Sequence, residues 1–149
     1  MRAAATRRWA WVETLALPSG SVQAHATCVP SELAGRTPAV CLHHGTGASS
    51  SWLGFAAALA AAEPAGYGVV AYDRAGYGGS SPLPAAELRR DFLLDGVAEL
   101  VAVLDRLHVQ RCCVVGHSDG ASIALMAASL YPARVGCVVA EAPHMNGHR

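Results

Sequence analysis

Gly116-His117-Ser118-Asp119-Gly120 is the stretch whose residue types and spacing point to covalent chemistry. It follows Cys112-Cys113-Val114-Val115, a short apolar run with β-branched residues, and precedes the helix-forming run Ala121 to Ala128. A G-x-S-x-G pattern between a strand and a helix puts its serine on a tight, strained turn. Positions two residues away must be small because the backbone folds back on itself. The Ser118 hydroxyl then stands above the strand ends, and the first N–H groups of the helix lie beside it, free to bind a developing oxyanion. The alternative is an ordinary strand–turn–helix junction.

The elements that must position this turn follow from periodicity. Trp9 to Leu17 alternates loosely and reads as a first strand. Pro18-Ser19-Gly20-Ser21 is a turn, and Val22 to Val29 makes a hairpin partner. Pro30 to Pro38 reads as a polar loop, and Ala39 to Leu42 as a buried strand running into the small-residue loop His43 to Ser50. The pattern predicts a helix over Ser51 to Glu63, with a serine as N-cap and Trp52, Phe55, Ala56 and Leu59 on one face, stopped by Pro64-Ala65-Gly66. Val69 to Tyr72 is the next strand, and Asp73 to Pro82 a long loop of turn formers. Pro84 opens a helix to about Leu107, buried along Leu93, Val97, Leu100, Val101 and Leu104, with Arg89, Arg90, Asp91, Asp95 and Asp105 on its solvated face. After the serine turn, a helix from about Ser118 to Leu130 lies close on the sheet through Gly120, Ala121 and Ala124, with Ile123, Met126, Ala127 and Leu130 packing further along. Tyr131-Pro132 ends it, and Val135 to Ala140 is the last strand.

A hairpin followed by alternating strands and helices implies the α/β class: a mainly parallel sheet of about six strands, with an N-terminal antiparallel hairpin and helices on both faces. In such sheets the site lies at the carboxyl ends of the strands. His44-Gly45-Thr46, Asp73-Arg74, Ser118 and Glu141 all fall just past strand ends and should gather on one rim.

Composition narrows the function class. The 149 residues fit one domain, 52% apolar and 15% charged, with zero formal net charge. This is globular, and it suggests no nucleic-acid partner. Apolar runs are too short for a membrane span, and despite Arg2, Arg7 and Arg8 no apolar signal-peptide core follows, so a cytoplasmic chain is expected. The five cysteines, Cys28, Cys41, Cys112, Cys113 and Cys137, sit mostly in apolar runs and read as buried reduced thiols. No C-x-x-C or zinc spacing occurs, and no metal or cofactor is expected. His43 and His44 diverge along a strand and make no metal pair. Gly76-Tyr77-Gly78-Gly79 lacks the third glycine and immediate helix of a dinucleotide loop, and Gly45-Thr46-Gly47-Ala48 lacks the lysine of a phosphate loop.

Three motifs in order carry a family resemblance: His44-Gly45, Asp73-Arg74-Ala75-Gly76-Tyr77-Gly78-Gly79-Ser80, and Gly116-His117-Ser118-Asp119-Gly120. Tyr131-Pro132-Ala133-Arg134-Val135 resembles the same family's approach to its sixth strand. The chain resembles the α/β-hydrolase fold family, in its esterase-like branch. The resemblance implies a serine hydrolase acting on an ester or related acyl bond of a small molecule. Ser118 would be the nucleophile, and the N–H groups of Asp119 and Thr46 the oxyanion hole. A serine at the turn argues against the dehalogenase branch, which uses a carboxylate there.

The likeness covers strands one to six of a single partial domain, 1–149, without the lid or strands seven and eight. In the family the acid usually follows strand seven and the histidine strand eight. A serine without a base is a poor nucleophile, which implies low or no turnover. The tail offers Glu141 as a substitute acid and His144 as a substitute base, since strand six should neighbour strand five. The competing reading has Glu141 capping the rim and His144 and His148 as exposed tail residues. His117 reads as packing, since adjacent residues cannot aim at each other. Asp73-Arg74 reads as a brace of its loop. A second function class also stands: a non-catalytic truncated member or interaction module, self-associating through a strand-six edge where Val138 and Val139 lack a partner.

Overall fold

The computed structural model describes residues 9–34, 39–45, 47–62, 67–83 and 91–144. Arg2, Arg7, Arg8, Pro38, Thr46, the Pro64-Ala65-Gly66 stop, the Pro84 helix start with Arg89 and Arg90, and His148 lie outside the described residues. Six strands form one sheet: β1 (Trp11–Leu17), β2 (Gly20–Ala26), β3 (Ala39–His43), β4 (Val69–Tyr72), β5 (Cys112–His117) and β6 (Val135–Glu141). Their order is β1-β2-β4-β3-β5-β6. β1, β2 and β4 pair antiparallel, while β4, β3, β5 and β6 run parallel. The helices are α1 (Pro30–Ala34), α2 (Leu53–Ala60), α3 (Phe92–Arg106) and α4 (Asp119–Leu130).

The period of two along each strand divides the core into two layers. Cys41, Val70, Tyr72, Cys112 and Val114 point to one face and join Val97, Leu100, Val103 and Leu104 of α3 and Ile123, Ala124 and Ala127 of α4. Val40, Val69 and Ala71 point to the other and meet Ala56, Trp52 and Leu59, with Cys113 and Val115 packed alongside. Helices therefore cover both faces, α3 and α4 on one and α2 on the other. Gly96 permits the closest approach of α3 to α4: a Cβ there would run into the Ile123 side chain.

Several local expectations differ from the structure. The Pro30–Pro38 loop begins as a short helix that buries Leu33. The helix expected from Ser51 is a 3-10 turn, Ser49–Trp52, followed by α2; no serine side chain caps it, and Ser51 Oγ donates to the Ala48 carbonyl instead. Phe55 is exposed beside Trp52. In α3 the buried stripe runs Gly96–Val97–Leu100–Val103–Leu104, so Val101 sits on its flank. Leu130, in the last turn of α4, is exposed.

The cysteine reading needs the largest correction. Cys113 and Cys137 are register partners on β5 and β6, with Cα atoms 4.7 Å apart, and they form a disulfide. Parallel pairing of consecutive strands brings the two side by side, which spacing in the sequence could not reveal. Cys41 and Cys112 are buried free thiols. Burial pushes the Cys112 thiol up to about 12 and Cys41 well above its ordinary value, so neither is reactive. Among the described residues no helix is long and apolar enough to cross a membrane.

The bridge spans 24 residues of sequence. A loop of that length restricts the unfolded chain by about 3.5 kcal/mol on loop-entropy grounds. Cys137→Ser should therefore lower the unfolding free energy by about 3.5 kcal/mol, measured as a drop in the urea midpoint, and dithiothreitol should do the same to the parent protein.

Candidate active site

The carboxyl ends of β3, β4, β5 and β6 form a common rim, and of the residues expected there His44, Asp73, Arg74, Ser118 and the Glu141 carbonyl lie along it. Ser118 leaves β5 with φ +57° and ψ −125°, a conformation that L side chains rarely adopt. Three backbone hydrogen bonds hold it. Its N–H donates to the Glu141 carbonyl at the end of β6, 2.9 Å, and its carbonyl accepts from the N–H groups of Ala121 and Ser122 in the first turn of α4. Small neighbours make the fold-back possible. A Cβ on Gly116 would run into the Gly120 backbone, and one on Gly120 into the His43 carbonyl. A Cβ on Gly45 would sit 2.6 Å from Ser118 Cβ. The G-x-S-x-G spacing is thus a steric requirement of this turn.

His144 reaches the serine. After β6 the chain reverses through Ala142, at φ +50°, and Pro143, and lays the His144 ring over the start of α4. His144 Nε2 lies 2.8 Å from Ser118 Oγ. Asp119 Oδ1 lies 3.8 Å from the same nitrogen. The Glu141 carboxylate makes no hydrogen bond or ion pair among the described residues; Glu141 touches the site through its carbonyl. His117 is exposed rather than packed. It falls on the same side of β5 as Cys113 and Val115, opposite the face that α4 covers. The Asp119 N–H, at the first position of α4, has no acceptor among the described residues. Thr46 lies outside them.

Beneath the rim, ionisable side chains brace the loops. Burial alone would raise Asp73, but hydrogen bonds from the N–H groups of Gly79, 2.9 Å, and Ser49, 2.7 Å, outweigh it and hold the carboxyl below its ordinary value. His44 Nε2 accepts the Arg74 N–H at 3.1 Å, so its neutral form carries the proton on Nδ1, 3.1 Å from the Gly45 carbonyl. The Arg74 guanidinium donates to that same carbonyl and lies over the Tyr77 ring. Asp73 and Arg74 are a structural brace, as the sequence suggests. His43 Nε2 is 2.8 Å from the buried Tyr72 hydroxyl. Burial, reinforced by the Arg74 charge, pushes His43 well below its ordinary value, and burial likewise lowers His25 and His44.

Sequence reasoning missed two participants. Glu99 of α3 is buried and accepts the Ala75 N–H at 3.0 Å, tying the 73–81 loop to the helix; burial raises its carboxyl. The available signal was a carboxylate three residues after Gly96 and four before Val103, on the buried stripe. Ser122 is buried and bonded to the main chain of His144. Its signal was a hydroxyl one helical turn after Ser118 among small apolar residues.

The sequence over residues 38–148 matches the family described as alpha/beta hydrolase fold. The chain belongs to the alpha/beta hydrolase fold family. It is 38% identical over 102 residues to epoxide hydrolase B of Mycobacterium tuberculosis, covering 68% of this chain and 28% of that protein. Among solved structures, an epoxide hydrolase from an endophytic Streptomyces superposes with a TM-score of 0.70 at 32% identity, over 86% of this chain and 35% of that one. The thioesterase domain from the curacin biosynthetic pathway superposes with a TM-score of 0.70 at 29% identity, over 86% and 42% respectively. This alpha/beta hydrolase chain spans less than half the length of each of these relatives, and resemblance to them supports a hydrolase.

The buried histidines set an acid limit on the fold. The folded state holds His25, His43 and His44 below their ordinary value, so on acidification the unfolded chain takes up protons first. Stability falls as pH drops through about 6.5, and Asp73, also lowered, extends the loss into the carboxylate range. Glu99, raised by burial, offsets part of it. The thermal midpoint should fall between pH 8 and pH 5.5, and His43→Gln should flatten that slope.

Proposed function

We propose that this chain carries an acyl-hydrolase site in which Ser118 is the nucleophile and His144 its base. The observation supporting this is the 2.8 Å approach of Ser118 Oγ to His144 Nε2, with Ser118 in the strained turn. His144 takes the hydroxyl proton as Oγ attacks the carbonyl carbon of a small ester or thioester. The Asp119 N–H binds the resulting oxyanion, and the Thr46 N–H is its proposed second donor. Return of the proton from His144 to the leaving alcohol or thiol gives the acyl-serine. Water, deprotonated by the same ring, then cleaves that ester and regenerates the serine. The Asp119 carboxylate, 3.8 Å from Nε2, stabilises the imidazolium of each step. No carboxylate among the described residues reaches Nδ1 to orient the ring.

The residue at the turn selects among the relatives' chemistries. A serine that opened an epoxide would become a dialkyl ether, which water does not hydrolyse, and the site would be spent after one event. An acyl-serine is an ester and turns over. The hydroxyl of Ser118 therefore favours acyl substrates, although the curated relative described above is named an epoxide hydrolase.

A second reading rests on the β6 edge. Val139 is 58% exposed on the outermost strand, and such an edge can add a strand from a second copy. Concentration-dependent dimerisation, lost in a Val139→Lys variant, would support it; a monomer at all concentrations would exclude it.

The hydrolase reading is tested with p-nitrophenyl acetate and a fluorophosphonate probe. The parent protein should take one phosphonyl group on Ser118. Ser118→Ala should abolish both labelling and ester hydrolysis, and His144→Ala should slow hydrolysis by about 10²–10⁴-fold. Hydrolysis that survives Ser118→Ala would overturn the assignment.

A further inference from the structure

We infer that Ser122 is a positioning residue: its hydroxyl latches the main chain of His144 so that the ring is held on Ser118. The inference rests on the hydrolase reading above for its catalytic consequence, but the latch itself is a separate physical claim.

The hydroxyl of Ser122 is used twice on one residue. Its Oγ–H donates to the His144 carbonyl, 3.0 Å, and its Oγ accepts the His144 N–H, 2.8 Å. Both main-chain polar groups of His144 are thereby satisfied by a single side chain, as a neighbouring strand would satisfy them. Ser122 is 5% exposed and lies four residues after Ser118, on the same face of α4. Its N–H is bonded to the Ser118 carbonyl at 3.2 Å. The latch and the nucleophile are thus fixed to one another through the first turn of α4.

Without the latch nothing else among the described hydrogen bonds anchors the main chain of His144. The imidazole itself is exposed, with its side chain 60% accessible. It gains little from burial that would keep it in place. The approach to it is unfavourable, because Ala142 holds φ +50°, a conformation that an L side chain rarely adopts. A segment in that conformation, carrying a solvent-facing ring, relaxes unless it is tied down. The two Ser122 bonds supply the tie. Removal of the hydroxyl leaves the Ser118 turn intact and releases the base.

The test compares Ser122→Ala and Ser122→Thr in parent and His144→Ala backgrounds. In the parent, Ser122→Ala should lower kcat for p-nitrophenyl acetate and the rate of Ser118 phosphonylation by about 10²-fold, with KM little changed. Ser122→Thr, which keeps the hydroxyl, should recover most of the rate. In the His144→Ala background Ser122→Ala should cause no further loss, because there is no ring left to position. An equal loss in both backgrounds would show a merely structural serine and overturn the inference, as would parent-like rates in Ser122→Ala. Hydrogen exchange of the His144 amide reads the latch without catalysis: it should be protected in the parent and in Ser118→Ala, and fast in Ser122→Ala. Protection that persists in Ser122→Ala overturns the latch. If the parent neither labels nor turns over, the hydrolase reading fails, and amide exchange still decides the latch.

Discussion

The backbone of a single residue, Ser118, is the constraint on which the rim depends. At φ +57° it occupies a region that costs a non-glycine residue about 1–3 kcal/mol. It stays there because both of its main-chain polar groups are committed elsewhere: the N–H to the end of β6, the carbonyl to the start of α4. The strain and the strand–helix junction are one feature. A residue that relaxed into a common conformation would have to break the β5–β6 ladder at its last rung or unwind the first turn of α4. The hydroxyl is consequently aimed by the sheet and the helix together.

The turn can exist only if three other pieces of backbone come unusually near. Gly116 faces Gly120, Gly120 faces the end of β3, and Gly45 faces Ser118 itself. Close approach of backbone brings loops that would otherwise splay, and these loops are held by ionisable groups used as hydrogen-bonding parts. Asp73 ties the loop after β4 to the 3-10 turn before α2, and Glu99 ties it to α3. His44 joins β3 to β4 through the Arg74 N–H. Each of these groups is buried and each is paired, so the cost of burial is offset by bonds that fix the rim. The two carboxyls answer burial differently. Asp73 has two N–H donors and stays easily ionised, whereas Glu99 has one and is raised.

The serine and its imidazole neighbour come from the two outermost parallel strands. β5 delivers Ser118 directly, and β6 delivers His144 after a reversal at Ala142. This part of the sheet has a covered face under α4 and a more exposed one bearing Cys137 and Val139. The Cys113–Cys137 disulfide lies on the exposed face and cross-links the same two strands a few residues below the rim. Cross-link, ladder and the α4 packing therefore all act on the relative position of the strands that carry Ser118 and His144. The candidate site therefore draws on two strands, β5 and β6, that must stay registered with one another.

Much of this was legible in the residues alone. Alternation of β-branched runs with helical stripes implies the parallel sheet, because a strand can reach its parallel neighbour only by a crossover. The glycines around Ser118 imply the strained turn, because side chains there would collide within a few residues of chain. Those inferences involve local geometry, and local geometry is written in local sequence. The rest is relational. Cys113 and Cys137 bond because β5 and β6 are in register; Ser122 meets His144 because a turn of positive φ directs the chain back over α4; His117 faces outward because of which side of β5 a helix covers. The spacing of Glu99 puts it on the buried stripe of α3, but its partner, a loop N–H 24 residues away and 3.0 Å from it, is visible only in the fold. The sequence determined by itself that a hydroxyl would be raised at the strand ends. Only the tertiary structure decided which side chains would surround it, because pairings across the sheet depend on register and chain reversal rather than on spacing along the chain.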